Sequence, residues 1–392
     1  MLYRRFGRTE IRMPVFSCGG MRYQESWNSE DPVSDASQRN LETTIERALE
    51  VGITHIETAR GYGTSEQQLG RVLPRLPRER IIVQTKVPPK PSPRKFRAAF
   101  LDSLARLGLD HVDLLAIHGV NTAEHVHDTL RPRGCLAAAL ELRDRGHVRH
   151  VGFSTHAPVT RIADVIGSGG FDYVNLHWYY IFQDNLPAIE AAAARDMGVF
   201  IISPSDKGGM LYKPPRLLEE LCAPLSPIQF NDVFCLSEPR VHTLSIGAAR
   251  PGDFDEHLAA LRHLDDPEPV LAPILARLEE RFDEALGREF AASWKEGIPE
   301  WDALPGGVNV RTILWLRNLA LAYDMRAYGA MRYALLGGNG GHWMPGNRAD
   351  AADPDALRAA LQASPHAGVI PDLLREAHEL LAPENPSSEV GS

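Results

Sequence analysis

From about residue 14 to about residue 250, short apolar runs alternate with stretches whose apolar residues recur at helical spacing. Pro14-Val-Phe-Ser-Cys18 reads as a first strand and Ile53-Thr-His-Ile-Glu57 as a second. Leu41, Ile45, Ala48 and Leu49 between them share one helical face, and Gly52 is a natural stop. A third strand, 81–86, leads into a helix with Ser92 as cap and Pro93 in its first turn. Phe96, Phe100, Leu104 and Leu107 line its inner face, and Gly108 ends it. Val112 to His118 is the fourth strand. Helices at 136–145 and 186–197 stop at Gly146 and Gly198. His150–Ser154, Asp172–His177, Val199–Ser203 and His242–Gly247 complete eight strands. Strands apolar on both faces, each followed by a helix, imply a parallel sheet with helical cover. Eight such units predict an α/β fold, a closed (β/α)8 TIM barrel. A doubly wound open sheet ranks second, because its Gly-x-Gly-x-x-Gly turn is absent after the first strand.

After about residue 265 the pattern changes. Segments 268–289, 311–335, 354–363 and 370–381 read as helices with no convincing strands between them. The expected organisation is a barrel over 1–265, a C-terminal helical domain over 266–382, and a disordered tail over 383–392.

Polar residues interrupt the pattern in one systematic way. The second strand ends in Glu57 and runs into a loop with Tyr62 between Gly61 and Gly63. The third ends in Lys86 and the fourth in His118. A carboxylate at the end of an apolar strand is costly unless paired or exposed in a site. The carboxyl ends of barrel strands are where such sites lie. Each residue alone has a plain structural reading: an ion pair, a solvated strand end, a satisfied histidine or a loop aromatic. Three consecutive strand ends favour the catalytic one.

This set, with Glu57-Thr58-Ala59 and the opening Tyr3-Arg-Arg-Phe-Gly-Arg-Thr9, resembles the aldo-keto reductases, over roughly residues 3–260. Their Asp, Tyr, Lys and His correspond to Glu57, Tyr62, Lys86 and His118, with glutamate in place of the usual aspartate. The resemblance implies reduction of an aldehyde or ketone with Tyr62 as general acid. A free tyrosine has a pKa near ~10, and an adjacent ammonium stabilises its phenolate. Lys86 would supply that charge, Glu57 would hold Lys86, and His118 would orient the carbonyl oxygen.

No side chain donates hydride, so the reaction needs a nicotinamide dinucleotide. By the resemblance, Ser154 and Thr155 stand where the nicotinamide amide is contacted, with Thr155 or His156 replacing an absent asparagine. Asn175 and His177 stand where a sixth-strand side chain does a similar task. Ser203-Pro-Ser-Asp-Lys-Gly-Gly209, with Lys207 and Gly208, is a strand-to-helix loop suited to pyrophosphate. Gly247-Ala-Ala-Arg250 matches the phosphate segment after the eighth strand. Arg250 would clamp a 2′-phosphate, which favours NADP(H). Glu256 falls where the adenine amino group is contacted. Tyr23, Trp27, Trp178 and Tyr179 are candidates for a pocket wall or for packing.

Composition narrows the rest. Over 392 residues, 44% hydrophobic and 24% charged content is that of a globular protein, and a net charge of −9 argues against nucleic acid as partner. No apolar run approaches the ~20 residues that span a bilayer. The beginning has no signal core, so a cytoplasmic location is expected. Cys18, Cys135, Cys222 and Cys235 form no metal-binding spacing and read as buried thiols. Leu316-Arg-Asn-Leu-Ala-Leu-Ala-Tyr-Asp324 resembles a helix that follows a ferredoxin-like cysteine run in a bacterial branch of the family. No cysteine occurs here after Cys235, so no iron–sulfur cluster and no metal are expected. The expected partner is a small carbonyl compound, and that of the C-terminal domain is unknown. The rival reading is a cofactor-binding regulatory or scaffold protein with little turnover.

Overall fold

The computed structural model describes residues 1–337, 343–351 and 353–382. The expected disordered tail, 383–392, lies outside the described residues. The chain begins with a hairpin, β1 (Tyr3–Arg5) against β2 (Arg12–Pro14). Eight parallel strands follow: β3 (Phe16–Gly19), β4 (His55–Glu57), β5 (Ile82–Val87), β6 (Val112–Ile117), β7 (Val148–Ser154), β8 (Tyr173–Leu176), β9 (Gly198–Ile201) and β10 (Thr243–Ile246). They close into a barrel in chain order, with β10 pairing both β9 and β3. All eight sequence-predicted strands lie on these elements, and the open-sheet alternative is excluded by the closure.

The strands form because both of their faces are covered. Every residue of β6 is buried. The helices bury the stripes that their sequences predict. Helix Asp35–Glu50 is capped by the Ser34 side chain and buries Leu41, Ile45 and Ala48, while Leu49 is only partly covered. Helix Pro93–Leu107 is capped by Ser92, buries Phe96, Phe100, Leu104 and Leu107, and ends at Gly108 in the left-handed conformation. These residues join one core between strands and helices.

A second cluster fills the barrel axis. Phe6 and Met13 from the hairpin segment pack with Leu114, Ala116, Tyr173 and Phe200. The hairpin, not anticipated from the sequence, thus stops the end of the barrel where the strands begin. Above this plug the axis is polar. Ser17 Oγ lies 2.7 Å from both His55 Nδ1 and Thr243 Oγ1, all fully buried.

The described residues divide into two compact units, one of 1–212 and 228–268, the other of 213–227 and the described residues from 269 to 382. The second is helical: Arg216–Cys222, Glu268–Leu286 (whose first residue belongs to the barrel unit), Arg288–Ser293, Val310–Tyr323, Arg326–Tyr333, Pro354–Ala360 and Ile370–Leu381. The predicted 311–335 helix is two helices, broken where Asp324 takes a left-handed conformation. Helix Val310–Tyr323 is buried on most of its surface, and its Arg317 reaches Glu376 of the last helix at 2.7 Å.

Candidate active site

The carboxyl ends of β4, β5 and β6 bring four side chains together. Lys86, 1% exposed, donates to the Glu57 carboxylate, to Thr58 O at 2.9 Å and to Tyr62 OH at 3.4 Å. Its three ammonium protons thus have three acceptors. Lys86 Nζ also lies 4.8 Å from the centroid of the Tyr62 ring. His118 meets that ring edge-on, with centroids 5.8 Å apart. The other Glu57 oxygen, Oε1, accepts from Ser245 Oγ of β10 at 2.8 Å.

Backbone geometry holds Tyr62 in this place. Thr58 N bonds Gln84 O and Arg60 N bonds Lys86 O, which extends the β4–β5 pairing into the loop. Tyr62 N then closes a turn on Ala59 O. Gly63 follows with φ +50, and a Cβ there would stand 1.8 Å from Ser26 O, so only glycine fits. The long loop after β3 is pinned to the same place, because Thr64 N donates to Ser26 O and Glu25 N to Gln68 Oε1.

Burial works against the Lys86 ammonium, but the charges and hydrogen bonds of Glu57 and Tyr62 outweigh it and raise the Lys86 pKa. For Tyr62, burial is the largest influence and raises its pKa; Lys86 opposes this without overcoming it. The phenol therefore keeps its proton at neutral pH. Burial, then the charges of Lys86 and Lys207, push His118 down to about 3, so its imidazole is neutral.

The remaining candidates ring the same mouth. Ser154 and Asn175 are register neighbours on β7 and β8. Ser154 Oγ accepts from Gly119 N at 2.9 Å and keeps its own proton to donate. Asn175 is fully buried, and neither its amide nitrogen nor its amide oxygen has a partner in the protein. A buried amide with no partner costs free energy unless something fills its valence. A primary carboxamide matches both of its atoms, and that is the fit expected for a nicotinamide.

Thr155 is differently placed. Its hydroxyl donates to Val120 O and accepts from Ala157 N, so it is engaged by the backbone. His156 instead bonds His177, Nδ1 to Nε2 at 2.6 Å, and His177 Nδ1 lies 2.7 Å from Tyr179 OH.

In the loop after β9, Ser203 is left-handed and precedes the short helix Pro204–Lys207. The amides of Lys207, Gly208 and Gly209 already donate within this loop, so its side chains carry more of any anion contact than its backbone. Arg250 is 79% exposed and bonds Asp253 at 3.0 Å. Glu256 is exposed in the first turn of helix Phe254–Ala260.

The aldo/keto reductase family model matches residues 16–216, half of the chain. The chain belongs to the aldo/keto reductase family. An aldo-keto reductase of Mycobacterium avium is 33% identical over 152 residues, 37% of this chain and 45% of that protein. The L-glyceraldehyde 3-phosphate reductase of Escherichia coli K12 is 31% identical over 175 residues, 40% of this chain and 46% of that protein. The matches thus span under half the length of these curated relatives. In fold, the holo form of an aldo-keto reductase from Bacillus halodurans covers 71% of this chain and 96% of its own, with a TM-score of 0.59 and 20% identity.

Within this aldo/keto reductase barrel, two polar residues of the site escape a reading of the sequence. Arg22, in the loop after β3, lays its side chain over Gly247, with Cδ 2.9 Å from where a Cβ would be. Its guanidinium sits 4.4 Å above the Tyr212 ring. Among the described residues it has no ion pair. Its position just past the end of β3 is the signal that would have found it. Ser245 carries no comparable signal, because it is one of two alternating hydroxyls in the short strand Thr243–Ile246 and bears no charge.

Proposed function

We propose that this protein is an NADP(H)-dependent oxidoreductase that reduces an aldehyde or ketone to an alcohol. The observation that carries this reading is the contact of a buried, Glu57-paired ammonium with the Tyr62 hydroxyl, with the neutral His118 ring against the same phenol. A bound nicotinamide supplies the hydride. Tyr62 gives its proton to the carbonyl oxygen as negative charge develops there. Lys86 stabilises the phenolate that is left, which makes the proton easier to give up at the moment of transfer. Glu57 keeps Lys86 charged and in place. His118, neutral across the physiological range, offers an N–H to the same oxygen and orients it.

The unpartnered amide of Asn175 and the Ser154 hydroxyl would hold the carboxamide, with His156 and His177 beside them. Ser203, Lys207, Gly208 and Gly247 would border the phosphates, and Glu256 the adenine. Arg250 would meet the 2′-phosphate, exchanging its exposed bond to Asp253 for a stronger doubly charged partner. Arg22, already stacked on Tyr212, adds a second guanidinium on the Gly247 side.

The test combines binding with turnover. Fluorescence titration is expected to show NADPH bound more tightly than NADH, with Arg250→Ala removing most of the difference. Tyr62→Phe should lower kcat for an aldehyde by roughly 10²–10⁴-fold while the NADPH Kd stays nearly constant. Binding of neither nucleotide, or turnover indifferent to Tyr62→Phe, overturns the proposal and favours a protein kept for another purpose.

A further inference from the structure

We propose that Ser245 is a positioning residue, one that fits the longer Glu57 side chain to the task of presenting Lys86 to Tyr62. This rests on the catalytic reading of Tyr62 and Lys86 above. Glu57 is 4% exposed, and its two oxygens have separate duties. Oε2 takes the Lys86 ammonium, and Oε1 takes the Ser245 hydroxyl at 2.8 Å. Ser245 is itself 5% exposed, so no bulk water replaces it at that oxygen.

The two residues come from strands that are not neighbours. β3 lies between β10 and β4, and its Gly19 pairs in register with Glu57. A Cβ on Gly19 would stand 2.6 Å from Ser245 Oγ and 3.2 Å from Glu57 Oε1. The absence of a side chain at 19 is what opens the gap across which hydroxyl and carboxylate meet. Gly19, Ser245 and Glu57 therefore form one arrangement.

Its purpose follows from length. A carboxylate shorter by one methylene ends about 1.5 Å nearer its own strand. An aspartate at 57 would draw its carboxylate back from Ser245 Oγ, now 2.8 Å from Oε1, beyond hydrogen-bond range. Glutamate has one more rotatable bond and more ways to miss the lysine. The bond to Ser245 selects one of them. A hydrogen bond to an ionised carboxylate in a dry site is among the stronger kinds, and losing it leaves Oε1 buried without a donor.

The experiment is a double-mutant cycle in the full-length protein: wild type, Ser245→Ala, Glu57→Asp and the double variant. Two readouts are taken. One is kcat and KM for NADPH-dependent carbonyl reduction. The other is the hydrogen-exchange rate of the Lys86 ammonium by ¹⁵N-lysine NMR, which is tractable because the chain has six lysines. Ser245→Ala is expected to lower kcat about tenfold, to leave the KM for NADPH nearly unchanged, and to speed exchange at Lys86. In the Glu57→Asp background the same change should alter kcat less than about twofold and leave exchange at Lys86 as it was. Equal effects of Ser245→Ala in both backgrounds, or a Lys86 signal indifferent to it, overturn the positioning role. If wild type reduces no carbonyl, the functional reading fails, and the exchange measurements still decide whether Ser245 acts on Lys86 through Glu57.

Discussion

His55 has no exposed surface and sits on the barrel axis, bonded through Nδ1 to Ser17. Burial, reinforced by the Lys86 charge and only partly opposed by Gln84, pushes it down to about 3. In the unfolded chain it protonates near ~6.5. The neutral form is thus the folded form. Its contribution is fully present above pH ~6.5 and is lost as pH falls from there toward the folded value. The expected loss is up to about 1.4 kcal/mol per pH unit for this one group. Urea unfolding at pH 7, 6 and 5 should show that slope in wild type and a shallower one in His55→Gln. Equal slopes would mean that His55 is charged in the folded protein. At this scale the candidate cluster was legible where chemistry coincided with a strand end, as at Glu57, Lys86 and His118, or with a glycine-flanked loop, as at Tyr62. Ser245 was not, because the residue that gives it meaning lies 188 positions away. Around Thr155 the sequence was silent about the local bonding: its hydroxyl is engaged by Val120 and Ala157, which no local pattern reveals.

Among the elements, the eight barrel strands were legible because each is a short, largely apolar run bounded by turn residues and followed, for most, by a helical pattern. The hairpin of β1 and β2 was not. Its strands have three residues each, and Tyr3-Arg-Arg5 has no apolar alternation. It matters through the turn between the strands, which drives Phe6 into the axis beside Tyr173 and Phe200. Phe6→Ala should open a cavity there and cost about 3–5 kcal/mol in denaturant unfolding. Because Phe6 lies at the opposite end from Tyr62, kcat of the folded variant should stay within about twofold of wild type. A stability change under 1 kcal/mol, on the scale of about 3–5 expected, would mean that the floor of the barrel collapses around the vacancy. The break at Asp324 was hidden for another reason. The apolar pattern runs on through it, and aspartate is one of the few residues besides glycine that enters the left-handed region readily.

In the whole molecule, closure depends on β10, which lies beyond residue 216, where the family match ends. A fragment ending at 216 would hold seven strands and leave β3 and β9 as open edges. Unpaired parallel edges of apolar strands are templates for association. Such a fragment should elute as aggregate in size-exclusion chromatography, whereas the full chain should not. A monodisperse fragment would show that the ring is dispensable. The chain reaches β10 only after a detour, since residues 213–227 belong to the other compact unit and 228–268 return to the barrel. During synthesis the ring cannot close until β10 has followed this piece of the second unit out of the ribosome. Its last strand arrives before most of that second unit has been made. Slow translation between residues 212 and 246 would therefore prolong the time for which the β3 and β9 edges stay unpaired.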